Sequence, residues 1–212
     1  MRARFAESVE ALAVLAVTLP AALLSGQSSL WFLVPFALVT LSRRDYSEFG
    51  LDLAPAARAR WGGLGFHAAT AVIVFVPYAV GHYLLARWLL GQRFHFQLPD
   101  ALPWLLADQL LGIGLPEEFF FRGYLQSQLN RTFGRPWQLL GVRCGWGLPL
   151  ASALFALCHV PLGGVGQLIV FFPGLLYGWL RERTDGVLVP TIYHAFSNVL
   201  LKIMLASLHP GA

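Results

Sequence analysis

Long apolar runs, separated by short polar or basic segments, make up most of this chain. About 20 apolar residues cross the hydrocarbon core of a bilayer as a helix, and seven runs approach or exceed that length. The predicted spans cover residues 9–24, 30–41, 62–90, 101–130, 145–159, 165–180 and 187–208. The pattern therefore predicts an all-α fold, a polytopic membrane helical bundle of about seven transmembrane helices (six to eight).

Composition supports a membrane protein rather than a soluble one. The 212 residues are 57% hydrophobic and 12% charged, whereas soluble domains are about 25% charged. We expect one transmembrane helical domain over residues 1–212. The net charge of +4 comes mostly from short loops between apolar runs, which indicates membrane topology and the lipid bilayer as a partner, with no nucleic acid bound.

The arginines predict the orientation of the chain in the membrane. A cytoplasmic N-terminus leaves only Arg87 and Arg93 on the far side. The arginines then placed in the cytoplasm are Arg2, Arg4, Arg43, Arg44, Arg58, Arg60, Arg131, Arg135, Arg143, Arg181 and Arg183. We expect an uncleaved first helix and a multi-pass protein of the cell membrane. The short, Arg- and Ala-rich chain favours a bacterial inner membrane.

The longest polar segment, residues 42–61, lies between the second and third predicted spans. Its Phe49-Gly50-Leu51 sequence and its arginine-flanked apolar residues predict a segment that lies along the membrane surface.

The candidate chemistry centres on Glu117, Glu118 and Arg122, which interrupt the apolar run 101–125. Charged side chains at that depth cost several kcal/mol each unless they are paired or face a polar cavity, so each indicates a functional site. Asp108 and Gln109 are the other polar residues of this run. At the end of the same helix, residues 126–130 are polar enough that we expect them to have left the hydrocarbon.

Helical spacing separates the two glutamates. Glu118 and Arg122 are four residues apart and share a face, which is compatible with a purely structural ion pair. Glu117 lies ~100° round the helix and is free for another partner. A structural pair leaves that second buried acid unexplained.

Two later helices add His159, His194 and Asn198. His194 and Asn198 are four residues apart, so one helix face presents an imidazole and a carboxamide together. A single membrane histidine is more often a packing residue, and a single asparagine commonly joins helices. The functional interpretation depends on their convergence with the glutamates from three different helices.

Such a set of side chains suits peptide-bond hydrolysis. A glutamate removed from water is a competent general base, a histidine can share the attacking water, and a second histidine with an asparagine can donate to the developing oxyanion. The same residues can instead bind a divalent metal such as zinc. The spacing does not decide between these, because the chain has no His-Glu-x-x-His helix. Cys144 and Cys158 show no zinc or disulfide pattern.

Three motifs in this order resemble the CAAX protease and bacteriocin-processing (CPBP, or Abi) family of intramembrane endopeptidases. They are Glu117-Glu118-x-x-x-Arg122, Phe155-x-x-x-His159 and His194-x-x-x-Asn198. The resemblance covers about residues 101–208, which we expect to be the catalytic core. Eukaryotic members of the family trim prenylated CAAX proteins.

The resemblance implies a role for each motif residue. Glu117 corresponds to the catalytic glutamate, His159 to the histidine that helps hold the water, and His194 with Asn198 to the oxyanion-stabilising pair. Glu118 and Arg122 are expected to support the site. We expect a glutamate-type protease without a cofactor. A metal-dependent member would use Glu117, His159 and His194 as ligands.

The expected substrate is a membrane-embedded or lipid-anchored protein or peptide. Two other functions stay open: a proton-coupled membrane carrier and a non-catalytic bacteriocin-immunity protein. The predicted boundaries place His159 and His194 towards opposite sides of the membrane. They can meet only if the helices tilt or the boundaries shift by a turn or two.

Overall fold

The computed structural model describes residues 2–51 and 63–209. Seven main helices and four short strands make up these described parts of the chain. The helices are α1 (Arg2–Ser25), α2 (Leu30–Leu41), α3 (Leu64–Leu84), α4 (102–133), α5 (Gly147–Gly163), α6 (Phe171–Thr184) and α7 (Leu188–Ala206). The strands are β1 (Arg93–Phe94), β2 (Trp137–Leu139), β3 (Val142–Cys144) and β4 (Leu208–His209). The predicted all-α membrane bundle is confirmed, and every predicted apolar run coincides with a helix.

Three helical stretches in the described ranges are long and apolar enough to cross a membrane: Phe5–Ser25, Gly65–Leu89 and Leu188–Ala206. The helices Leu30–Leu41 and Gly147–Gly163 are apolar but shorter. Half of the predicted surface segment, residues 52–61 with Arg58 and Arg60, lies outside the described ranges. The described part of this segment contains a 3₁₀ turn, Tyr46–Phe49. Asp45 caps the turn, because its carboxylate oxygen accepts a hydrogen bond from Ser47 N at 2.9 Å.

The strands form two small antiparallel pairs at chain connections. Strand β1 pairs with β4, which joins the connection after α3 to the segment after α7. Strand β2 pairs with β3 in the hairpin between α4 and α5. Val142 and Cys144 of β3 are buried and pack into a core cluster with Tyr177 and Leu180 of α6.

Helix α4 alternates between α-helical and π-helical geometry. Its α-helical parts are Leu102–Ala107, Leu115–Glu118 and Gln126–Phe133, and its π-helical parts are Asp108–Gly114 and Phe119–Leu125. A π turn inserts about one extra residue, so it rotates the residues that follow by about 100° relative to an unbroken α-helix. The two glutamates therefore lie between two π-helical segments, and each segment changes the direction in which the side chains after it point from the helix axis.

The core of the bundle surrounds the second half of α4. Phe119, Phe120 and Phe121 are at most 1% exposed, and the Trp31 ring of α2 packs 4.9 Å from the Phe120 ring. The 3₁₀ turn packs closely against α4, and this contact requires glycine at position 123. A Cβ there would lie 2.5 Å from the Phe49 carbonyl oxygen. Helix α4 is thus held on several sides by neighbouring segments.

The polar end of α4 is buried inside the protein. Gln126, Ser127, Gln128 and Asn130 are at most 5% exposed. Gln126 and Asn130 both donate to Oε1 of Glu182, at 2.7 and 2.5 Å. Glu182 on α6 thus accepts from the side-chain nitrogens of Gln126 and Asn130, so these donors are satisfied inside the protein.

Candidate active site

The motif residues come together from three helices. Glu117, Glu118 and Arg122 lie on α4, His159 lies near the end of α5, and His194 lies in the first half of α7. The expected conflict between the histidine positions does not arise in the structure. The Nε2 atoms of both histidines lie within 4 Å of the same Glu117 oxygen.

Glu117 holds the centre of this cluster. Its Oε2 lies 3.8 Å from Nε2 of His159 and 3.9 Å from Nε2 of His194. The side chain is 12% exposed, and Oε2 has no hydrogen-bond partner among the described residues. Separations of this size are too long for direct hydrogen bonds and short enough for one water oxygen to bridge.

The His159 ring is fixed by its own helix. Its Nδ1 lies 2.8 Å from the carbonyl oxygen of Phe155, one turn earlier in α5. A carbonyl oxygen only accepts, so Nδ1 carries the proton and donates it there. In a neutral imidazole, Nε2 is then an acceptor, and it faces Glu117. The Phe155 ring packs 4.4 Å from the imidazole and holds its orientation.

Glu118 links α4 to α7. Its Oε1 lies 2.8 Å from Nδ1 of His194 and 3.2 Å from Nη1 of Arg122. The side chains of Glu118 and Arg122 are fully buried. The predicted pair between residues 118 and 122 is therefore present, although the helix between them is π-helical rather than α-helical.

Aromatic rings surround the buried cation and the second imidazole. The Arg122 guanidinium lies 4.3 Å from the centre of the Phe155 ring. The His194 ring stacks on Tyr177 with 5.2 Å between centroids, and the Tyr177 hydroxyl donates to Ser197 at 2.7 Å. Such contacts stabilise a desolvated cation and restrict the imidazole to one orientation.

Asn198 lies one helical turn beyond His194 on α7, and its observed hydrogen bond is to the first half of α4 rather than to a motif residue. Its Nδ2 donates to Oε1 of Gln109 at 2.9 Å. Gln109 is 1% exposed and in turn donates from Nε2 to Oδ2 of Asp108 at 2.9 Å. The sequence marked Asp108 and Gln109 as polar residues in an apolar run but did not connect them with Asn198. No feature of the sequence marked Tyr177 as a residue of the site.

No group of three or more His, Cys, Asp or Glu side chains is placed to hold a metal ion anywhere in residues 2–51 and 63–209. This includes Glu117, His159 and His194, the three ligands that a metal-dependent reaction would use. The neighbouring Cys158 is a buried free thiol.

Comparison with known families gives an independent finding. Residues 99–200 match the family described as type II CAAX prenyl endopeptidase Rce1-like. No curated protein and no solved structure matches the chain. The family match spans just under half of the chain, includes all seven residues named in the three motifs, and confirms the resemblance to the CAAX protease and bacteriocin-processing family.

Proposed function

Because residues 99–200 carry the pattern of the Rce1-like CAAX endopeptidases, we propose that this protein is an intramembrane endopeptidase. It hydrolyses a peptide bond of a membrane-embedded or lipid-anchored protein or peptide. The observation that carries the proposal is the approach of two imidazole nitrogens, from two other helices, to one Glu117 oxygen at 3.8 and 3.9 Å. That oxygen has no hydrogen-bond partner in residues 2–51 and 63–209.

In the proposed reaction, Glu117 is the general base and His159 holds the attacking water. Both Oε2 of Glu117 and the unprotonated Nε2 of His159 are acceptors, so one water molecule can donate a proton to each. This arrangement orients the water oxygen towards a substrate carbonyl carbon. As the new C–O bond forms, the water proton passes to Glu117. When the C–N bond breaks, Glu117 returns that proton to the leaving amine.

His194 and Asn198 are proposed to stabilise the oxyanion of the tetrahedral intermediate. The Nδ1–H of His194 is directed to Glu118, so an imidazolium ring can donate from Nε2 while Glu118 balances its charge. Asn198 has two amide protons, and only one is needed for Gln109. Donors fixed before the reaction stabilise the oxyanion most effectively, since no reorganisation is needed.

Glu118 and Arg122 are proposed to position the site. Arg122 is buried against Phe155 and next to Glu118, so it keeps the Glu118 carboxylate in place as the acceptor for His194. A buried charge without such a partner would be costly. Neither side chain needs to touch the substrate for this role.

We favour the glutamate mechanism over a zinc-dependent one, because a buried Glu/His pair activates water without a third anionic ligand. If a metal such as zinc were required, Glu117, His159 and His194 would bind it. The test below therefore includes a chelator.

The proposed location is the cell membrane, as a multi-pass protein of a bacterial inner membrane with a cytoplasmic N-terminus. The arginine distribution supports this orientation. A bacteriocin leader, or a protein with a C-terminal sorting helix, is a candidate substrate in such a host.

The first test compares proteolysis of a membrane-protein pool by liposomes that contain the wild type, the Glu117→Gln variant or the Cys158→Ala variant. Cys158 is 7% exposed and adjacent to His159, so its replacement is a matched control for disturbance of α5. We expect cleavage by the wild type and the control, with or without chelator, and none by Glu117→Gln. Near-normal cleavage by Glu117→Gln would refute the mechanism. Loss of activity with chelator and recovery with zinc would favour the metal alternative.

A further inference from the structure

A chain of three polar side chains extends from the proposed oxyanion site into the first half of α4. Asn198 Nδ2 donates to Gln109 Oε1, and Gln109 Nε2 donates to Asp108 Oδ2, each at 2.9 Å. Gln109 is 1% exposed, whereas Asp108 is exposed. The proposed mechanism assigns no role to Asp108 or Gln109.

The two hydrogen bonds fix the direction of both amides. A carboxylate oxygen only accepts, so the Gln109 amide must turn its nitrogen towards Asp108 and its oxygen towards α7. That oxygen in turn attracts the nitrogen end of the Asn198 amide. Without it, the Asn198 side chain could rotate and present its oxygen to the developing oxyanion, which would be repulsive.

The local shape of α4 brings Gln109 close to α7. Gln109 lies in the first π-helical segment, Asp108–Gly114. At the end of that segment, a Cβ on Gly114 would lie 3.3 Å from the carbonyl oxygen of Thr191 on α7, so the two helices approach closely there. Widened turns of this kind occur frequently at functional sites.

We infer that Gln109 is a positioning residue for the reaction: it holds Asn198 with its amide nitrogen available to the oxyanion, and Asp108 fixes the direction of Gln109. The inference rests on the proposed function, because it assumes that Asn198 stabilises an oxyanion. It predicts an effect on the transition state rather than on substrate binding.

The test uses Gln109→Met, which keeps the length of the side chain and removes both hydrogen bonds. Leu111→Ala is the matched control, since Leu111 lies in the same π-helical segment and is 62% exposed. The substrate is a fluorogenic peptide that spans the cleavage site found in the membrane-protein pool. We expect kcat to fall at least about tenfold for Gln109→Met, with KM within about twofold of wild type. Leu111→Ala should match the wild type.

A double-mutant cycle separates positioning from general stabilisation. If Gln109 acts through Asn198, the Gln109→Met change should not lower kcat further in an Asn198→Ala background. Multiplicative losses would overturn the inference. The Gln109→Glu variant keeps an acceptor oxygen for Asn198, so it should retain more activity than Gln109→Met. Equal losses of kcat in these two variants would also contradict the positioning role of Gln109.

A spectroscopic measurement does not depend on turnover. The side-chain amide signals of Asn198, assigned by their loss in Asn198→Ala, should shift in Gln109→Met and stay in place in Leu111→Ala. Unchanged signals in Gln109→Met would overturn the inference even if no substrate were known. If the signals shift but Glu117→Gln remains active, the contact stands and the proposed glutamate mechanism fails.

Discussion

Nδ1 of His194 lies 2.8 Å from a carboxylate oxygen of Glu118, and this hydrogen bond joins α7 to the motif helix α4. The neighbouring Glu117 has a different environment: its Oε2 has no hydrogen-bond partner among the described residues. Adjacent glutamates thus differ in their partners. One is held in an ion-pair network, and the other lies 3.8 and 3.9 Å from two imidazole nitrogens, too far for a direct hydrogen bond to either.

This difference predicts that replacing glutamate by glutamine changes the free energy of unfolding differently at the two adjacent positions. Glu118→Gln removes the charge that balances buried Arg122, so it should lower the free energy of unfolding by about 3–5 kcal/mol. Glu117→Gln removes a carboxylate oxygen that makes no hydrogen bond within the described part of the chain, so stability should stay the same or rise slightly. Thermal unfolding of both variants in the same detergent measures the contrast.

Equal destabilisation by the two substitutions would show that Glu117 is also part of the structural network. A loss of stability confined to Glu117→Gln would contradict the assignment of the two roles. Activity gives no such separation, because both variants are expected to be impaired.

The Glu118–Arg122 ion pair predicts non-additive stability. Replacing one partner leaves the other charged and buried, whereas the Glu118→Gln/Arg122→Met double variant removes both charges. The double variant should therefore be more stable than Arg122→Met alone, although Glu118→Gln is itself destabilising. If the two losses simply add in thermal unfolding, the charges do not stabilise each other.

Helical spacing in the sequence predicted the part of this site that depends on local geometry. Glu118 and Arg122 pair as an i,i+4 spacing requires, and each apolar run became a helix. The meeting of His159 with His194 could not be predicted in this way, because it depends on how α5 and α7 cross α4. The π-helical segments were equally hidden, since no residue type specifies them. Gln109 was visible as a polar residue, but its partner on α7 is set by tertiary packing.

The contact between Gly123 and the 3₁₀ turn predicts a steric effect. A Cβ at residue 123 would lie 2.5 Å from the Phe49 carbonyl oxygen, so Gly123→Ala must push the turn away from α4. We expect a loss of about 1–3 kcal/mol in the free energy of unfolding. Gly81→Ala in α3 is the control, because a Cβ there has no neighbour within 4 Å among the residues that the structure describes.

Thermal unfolding of the two alanine variants checks this packing. Gly81→Ala should be neutral or slightly stabilising, since alanine favours helix more than glycine does. If Gly123→Ala proved as stable as wild type, the turn would not be pressed against α4 as the structure describes.

The His159 contacts predict which replacement keeps some activity. Nδ1 donates to the Phe155 carbonyl, while Nε2 faces Glu117, so the two ring nitrogens have separate tasks. In His159→Asn the amide nitrogen can replace Nδ1, but no atom reaches the position of Nε2. In His159→Gln the longer side chain can place an acceptor oxygen near that position. If His159 holds the water, His159→Gln should therefore be the more active variant. Both should lose about 10²–10⁴-fold in kcat.

Steady-state kinetics with matched protein amounts in liposomes gives the comparison. The reverse order, with His159→Asn the more active, would mean that the contact to Phe155 matters more than the approach to Glu117, and would remove His159 from the water-binding role.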